Sequence, residues 1–156
     1  MQQSNLPQAL STVRLQLKGH PQDAFLYYME AQILFQQNAD PGAPELKQAI
    51  ESAEQSVRLD PDFSLSHDLL GNLYLKSGQF ASSIQQSRLA LKQNPSDQEA
   101  LYHLIQALRQ TGGTAKSELP GLVKRLAELR QEARNQEGMG NRYKLYETGE
   151  GNTPSK

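Results

Sequence analysis

The 156-residue chain has no cysteine, no long apolar run and almost no net charge. The missing cysteines exclude disulfide frameworks, thiol catalysis and thiolate metal sites together. No apolar run approaches the roughly 18 residues that would cross a membrane, so no membrane span is predicted. Residues 1–10 have neither the basic segment nor the apolar segment of a secretory signal peptide. These absences leave the cellular location open.

With a net charge of −1, nothing in the composition is basic enough to suggest nucleic-acid binding, which usually relies on a concentrated positive face. The charge is nevertheless uneven. Residues 22–62 hold eight acidic and two basic residues, for a net of −6, whereas residues 63–156 hold twelve basic and nine acidic residues, for a net of +3. These charges either belong to solvated helix faces or form a bipolar surface that orients a partner. In the second case, the partner is neutral to basic near residues 22–62.

Side chains that could carry catalysis are not spaced to converge. The three histidines, His20, His67 and His103, have no metal-ligating neighbour at helical spacing. The glycine-rich stretch at 111–114 follows a helical pattern rather than a strand, which argues against a phosphate-binding loop. We therefore predict that the chain is not an enzyme, with no catalytic residue, cofactor or metal site.

The chain does have a repeat that is marked by proline. The stretches GHPQDAFLYY, LDPDFSLSHD and QNPSDQEALY each place a proline before a polar or acidic pair and the start of an amphipathic segment. Pro61 and Pro95 are 34 residues apart, and Pro21 precedes Pro61 by 40. A fixed period in this range is typical of stacked repeats. Between the prolines, the apolar spacing predicts two helices with a break at Gly78, so the fold is predicted to be all-α.

The middle unit carries the residues of a known family. It contains Leu70-Gly71-x2-Tyr74, followed by Gly78, Ala90 and Pro95. This pattern resembles the tetratricopeptide repeat, whose 34 residues form a helix pair. The flanking units match more weakly, with Ala31 and Ile105 at the position of Gly71. The resemblance implies antiparallel helix pairs that stack into a right-handed α-solenoid.

The middle unit also departs from the family pattern. His67 stands where the pattern has tryptophan, Ser83 where it has alanine and Ser87 where it has phenylalanine. We expect these departures to loosen the packing of the second helix. Gly71 costs about 1 kcal/mol of helix stability relative to alanine, and we expect it to mark a close crossing of the two helices.

We predict about three repeats, at 21–60, 61–94 and 95–137, after a half repeat at 1–20 and before a mobile tail at 138–156. The extra residues of the first repeat are predicted in a turn at 38–44, between helices at about 23–37 and 45–59. Residues 118–136 are predicted to form a charged capping helix. The half repeat looks like the second helix of a unit whose first helix is missing, so the chain is expected to be a piece of a longer array. Its apolar residues are then expected to face the preceding helix: Leu6, Leu10, Val13 and Leu17.

In tetratricopeptide arrays, the first helices of successive repeats line a concave groove. Transferred to this sequence, the resemblance implies a groove formed by Phe25, Tyr28, Gln32, Phe35, Leu65, Asp68, Asn72, Leu75, Glu99, Tyr102, Gln106 and Arg109. Its amides offer both a donor and an acceptor to a peptide backbone. Its aromatic rings offer apolar area with little rotamer entropy to lose. The alternative is that several of these rings pack between repeats.

Some family members bind acidic chaperone C-termini through a two-carboxylate clamp. Asn72 matches one clamp position, but Tyr28, Glu99 and His103 occupy basic ones. We therefore do not expect an acidic C-terminal peptide as the ligand. The basic residues of the last helix alternate with glutamates, which predicts a solvated face laced with salt bridges: Lys124, Arg125, Arg130 and Arg134 with Glu128, Glu132 and Glu137.

The leading functional prediction is a non-catalytic scaffold that binds an extended peptide or partner segment in the groove. One alternative is a structural segment of a longer array that self-associates or stacks end to end through its N-terminal half repeat. Another is a targeting domain of a larger enzyme. The repeat pattern does not decide among them, because one fold serves many functions.

Overall fold

The computed structural model describes residues 5–147, without the side chains of residues 114, 115 and 141–147. Within this range the chain forms seven α-helices and no strand, which confirms the predicted all-α fold. The helices are α1 (Leu6–Gly19), α2 (Ala24–Gln37), α3 (Pro44–Leu59), α4 (Ser64–Lys76), α5 (Phe80–Gln93), α6 (Gln98–Gln110) and α7 (Leu119–Glu147), with a short 3₁₀ helix (Gly113–Glu118) between α6 and α7. No helix in the described part is long and apolar enough to cross a membrane.

Local sequence signals set the helix boundaries. The repeat-marking prolines lie in the turns that precede α2, α4 and α6. Asp23 caps α2 by accepting hydrogen bonds from the N–H groups of residues 25 and 26, and Asp97 caps α6 in the same way. Gly78 follows α4 with φ +77°, a left-handed conformation that glycine adopts without a steric penalty. These turns reverse the chain and produce antiparallel helix pairs.

The helix pairs stack so that the first helices form the inner layer. Helix α2 packs against α3, α4 against α5, and α6 against α7. Helix α4 also contacts both α2 and α6, whereas the Cα atoms of α3 and α5 stay more than 8 Å apart. The row of first helices is therefore the tighter layer, and the stack curves around it. The core between the layers includes Ala31, Leu34, Leu46, Ala49, Leu70 and Leu73.

The two helices of the middle repeat approach closely at Gly71. A Cβ atom added to Gly71 would lie 2.8 Å from Ser87 Oγ. Ser83 Oγ donates a hydrogen bond of 2.7 Å to the Gly71 carbonyl, and both serines are fully buried. The expectation of loose packing here was wrong, because small side chains bring the helix backbones together instead of leaving space between them.

His67 takes the place of the family's tryptophan by hydrogen bonding. Its Nε2–H donates to the Pro61 carbonyl at 2.8 Å, and its Nδ1 lies 2.7 Å from the Gln86 side-chain amide. The ring is buried, so these contacts satisfy polar atoms that would otherwise be desolvated without partners. His67 thus ties α4 both to the turn before it and to α5.

The N-terminal helix does not present the apolar face that we expected. Leu10 and Val13 are buried, because α1 packs against α2 of the same chain. Leu6 and Leu17 are half-buried, while Leu15 is 68% exposed. Arg14 reinforces the contact, with its Nε 2.7 Å from Glu30 Oε1. Helical spacing shows which residues share a face, but not which neighbour covers that face.

Helix α7 continues past Gly138, where we expected a mobile tail to begin, and is described as far as Glu147. No proline interrupts residues 138–147, and the two glycines there each cost only about 1 kcal/mol in a helix. The rest of the expected tail, residues 148–156, lies outside the described residues.

We predict that Gly71→Leu lowers the free energy of unfolding by about 2–3 kcal/mol, because the larger side chain has to displace α5. Ser87→Ala is the matched control on the other side of the contact. It removes a buried hydroxyl that has no hydrogen-bond partner and should raise stability by about 1 kcal/mol. Urea denaturation measures both values. Full tolerance of Gly71→Leu would contradict the close crossing.

Stability should also depend on pH through Tyr74. The Tyr74 hydroxyl donates to Glu54 Oε1 at 2.6 Å, and burial, followed by this hydrogen bond and the charge of Glu54, raises the pKa of Tyr74. An unfolded tyrosine ionises near pH ~10. The contribution of Tyr74 is therefore complete below that pH and is lost as the pH rises toward the folded-state pKa. Urea denaturation above pH ~10 should show a smaller loss of stability with pH in Tyr74→Phe than in the wild type. Identical slopes would contradict the assignment.

Candidate partner-binding groove

The groove predicted from the sequence lies on the solvent-facing sides of α2, α4 and α6, and none of its twelve residues is buried. Three of them are large exposed apolar side chains: Phe25 at 52%, Leu65 at 48% and Tyr102 at 39% exposure. In the described part of the chain, the other exposed large hydrophobic residues are Leu15 in α1 and Val123 and Met139 in α7. Helices α3 and α5 expose none.

An aromatic cluster lies at the N-terminal end of the groove. The ring centroids of Phe25 and Tyr28 are 6.0 Å apart, and Phe63 lies 6.3 Å from Phe25 and 5.3 Å from Tyr28. Burial, and then the charge of Asp68, raise the pKa of Tyr28, so its hydroxyl stays neutral and can donate a hydrogen bond. The sequence analysis missed Phe63, because this residue precedes α4 and has no position in a helical pattern. The signal that could have identified Phe63 is its place next to the turn between repeats.

Asp68 and His103 link two first helices in the middle of the groove. His103 Nδ1 lies 2.9 Å from Asp68 Oδ1, and the imidazole is almost fully buried. The ring also packs edge-on to Tyr102, with centroids 5.9 Å apart. The Asp68 carboxylate therefore already has a partner within the chain, so it holds α4 and α6 together rather than standing free.

The remaining predicted residues separate into three kinds. Asn72, Leu75, Tyr102 and Gln106 line one depression of ≈ 580 Å³ between α4 and α6. Phe35 instead packs against the hydrophobic core, as the alternative interpretation of the aromatic residues foresaw. The others, Gln32, Glu99 and Arg109, are exposed. The structure thus brings four predicted residues together where α4 and α6 meet.

Most basic side chains of α7 do not form the salt bridges that the sequence predicted. In the described part of this helix, Lys124 and Glu128 form the one ion pair, at 3.9 Å. Arg125 donates to the Pro95 carbonyl, and Arg130 lies 6.0 Å from the Tyr102 ring centroid. The predicted salt bridges were therefore wrong for these arginines. Helix α7 packs with one side toward α6, and its glutamates lie on its other sides.

The described residues include no group of three His, Cys, Asp or Glu side chains placed to hold a metal ion. The polar groups that do meet in the groove form hydrogen bonds within the protein, such as the pair between Asp68 and His103. Exposed aromatic rings and amides are common at protein interfaces, so these groups suit contact with another polypeptide.

Comparison with family models and with curated proteins finds no match. Among solved structures, the chain is similar to two crystal structures of MamA, a protein with a tetratricopeptide-type fold. One superposes with a TM-score of 0.73 and the other with 0.70, each at 16% sequence identity. Each alignment covers 85% of this chain, and 72% and 68% of the respective MamA chains. At this identity the likeness shows the fold. The chain is an α-solenoid of the tetratricopeptide type.

We predict that Asp68→Ala lowers the free energy of unfolding by about 1–3 kcal/mol, because it leaves the buried Nδ1–H of His103 without an acceptor. Gln32→Ala, at an exposed groove position, should change it by less than ~0.5 kcal/mol. Urea denaturation of the two variants measures whether Asp68 stabilises the fold and Gln32 does not. Equal, small effects would show that Asp68 has no structural role.

Proposed function

We propose that this protein is a non-catalytic scaffold that binds an extended segment of another protein along α2, α4 and α6. The supporting observation is where the exposed apolar side chains lie. The first helices of the repeats expose Phe25, Leu65 and Tyr102; among the second helices, α3 and α5 expose no large hydrophobic residue, and α7 exposes Val123 and Met139. Exposed apolar groups collected on one face are typical of an interaction surface.

The polar residues of the same face suit a peptide backbone. Gln32, Asn72 and Gln106 lie on successive first helices, and each amide can both donate and accept a hydrogen bond. An extended segment alternates its side chains, so some can rest on the rings while its backbone bonds to the amides. The net charge of −6 over residues 22–62 favours a neutral or basic stretch of the partner near α2 and α3.

Selection of random peptides displayed on phage against the full chain tests this proposal without a known partner. Selected peptides should bind the Tyr28→Ala, Asn72→Ala double variant at least about tenfold more weakly, because it removes one ring and one amide from the groove. Leu65→Ala provides a second variant at a more exposed position. Lys47→Ala with Gln85→Ala is the matched control, since both residues are exposed on second helices.

Circular dichroism melts of all variants accompany the binding measurement. The groove proposal fails if the selected peptides bind the Tyr28→Ala, Asn72→Ala and Leu65→Ala variants as tightly as the wild type. It also fails if the Lys47→Ala, Gln85→Ala control loses binding equally, because the peptides would then not depend on the first helices.

One observation favours assembly as a second candidate function. Leu15 is the most exposed of the large hydrophobic residues, and it lies on α1, which forms the N-terminal end of the described stack. A helix-pair end with an exposed leucine can stack against another copy or another repeat. Light scattering at several protein concentrations discriminates, because a monomer at every concentration would exclude self-stacking. No observation favours a targeting domain of an enzyme.

A further inference from the structure

A second recess, the arginine cleft, lies between α6 and α7 at the C-terminal end of the groove. Its volume is ≈ 340 Å³. Its apolar lining includes Ile105, Val123 and Leu126, and three arginines also line it: Arg109 from α6, and Arg130 and Arg134 from α7. Tyr102 and Gln106 belong both to this cleft and to the depression between α4 and α6, so the two surfaces are continuous.

The charges of the three arginines are not neutralised by acidic residues in the described part of the chain. Arg134 donates to the amide of Gln131, Arg130 lies over the Tyr102 ring, and no ion pair involves Arg109. Three guanidinium groups around one apolar recess therefore form a cationic site in a chain whose net charge is −1.

The nearby glutamates do not enter this cleft. Glu128 and Glu132 are each two residues from Arg130, which places them on the opposite side of α7. Glu99 on α6 and Glu137 on α7 are closer to the arginine side, but neither lines the cleft. An incoming acidic group would therefore meet the arginines without a competing carboxylate in the lining.

We propose that the arginine cleft binds an acidic segment of a partner protein, with a glutamate or aspartate next to an apolar residue. A guanidinium group holds a carboxylate through two parallel hydrogen bonds, and the apolar lining accepts the neighbouring side chain. The inference rests on the proposed function and specifies one end of the groove. The clamp positions Tyr28, Glu99 and His103 contribute nothing to it, since none of them lines the cleft.

The cleft also gives the groove a polarity. Asp23 and Asp60 line a recess together with Phe25 and Phe63 at the N-terminal end of the groove, and the three arginines line the cleft at the C-terminal end. A partner segment with a basic part and an acidic part would then bind in one direction, because the reverse direction places like charges together.

Fluorescence anisotropy of the full chain tests the cleft with two labelled peptides. One peptide contains glutamate and leucine residues, and the matched peptide has glutamine in place of glutamate. We expect the glutamate peptide to bind about tenfold more tightly at low salt, and Arg130→Gln with Arg134→Gln to abolish that difference. Arg58→Gln with Arg88→Gln changes the net charge equally at exposed sites outside the cleft and should preserve it.

Equal binding of the two peptides by the wild type would overturn the cleft inference, as would equal loss in the control variant. Tighter binding of single-stranded oligothymidylate through Arg130 and Arg134 would replace the acidic segment with a nucleic acid. If phage selection succeeds but the two peptides bind alike, the groove stands and the cleft fails. If the glutamate preference appears but selected peptides ignore the groove substitutions, the cleft stands and the groove fails.

Discussion

The stacking of each helix pair on the next is the contact on which the rest of this structure depends, with α4 packed against both α2 and α3, and α6 packed against both α4 and α5. Helix α4 contacts α2 on one side and α6 on the other, while α3 and α5 stay apart. A single helix pair cannot bury its apolar face alone, so stability comes from neighbours in the row. The same contact sets the curvature and aligns the exposed sides of α2, α4 and α6 into one continuous surface. The proposed interaction surface is therefore a product of the stacking that stabilises the fold.

Glycine and serine residues make close packing feasible both within and between the repeats. Within the middle repeat, Gly71 lets α5 approach until Ser87 Oγ would touch an added Cβ, and Ser83 donates a hydrogen bond to the buried Gly71 carbonyl. Between the first two repeats, Ser56 Oγ lies 2.6 Å from Ser66 Oγ and donates to the Ala24 carbonyl at 2.7 Å. Buried hydroxyls with partners cost little, and they allow shorter distances between helices than leucine would. The repeat contacts thus combine leucine layers with hydroxyl contacts, which explains how serine replaces larger family residues without loosening the stack.

Some groove residues have partners within the chain, and others are left exposed for the partner that we propose. Phe35 and Asp68 have partners within the chain, in the core and on His103 respectively. Phe25, Leu65 and Tyr102 keep much of their apolar surface in water. Hydration of such surface is unfavourable, so its burial by another polypeptide would drive association. The chemistry changes along the row, from aromatic rings at the N-terminal end to amides and then arginines at the other end. A partner that matches this order gains contacts that a uniform apolar segment does not.

The helices and their order follow from local features of the sequence. The prolines, the capping aspartates and Gly78 act within a few residues of chain, so the helix ends follow from local chemistry. The repeat period also assigned residues to the first helices, and hence to the groove. Which helix faces are covered depends instead on the folded arrangement. Leu10 and Val13 are buried by α2, Phe63 meets Tyr28, and Arg130 lies beside Tyr102 rather than beside a glutamate. Helical periodicity shows which residues share a side of a helix, whereas the neighbour opposite that side depends on packing between residues far apart in the chain.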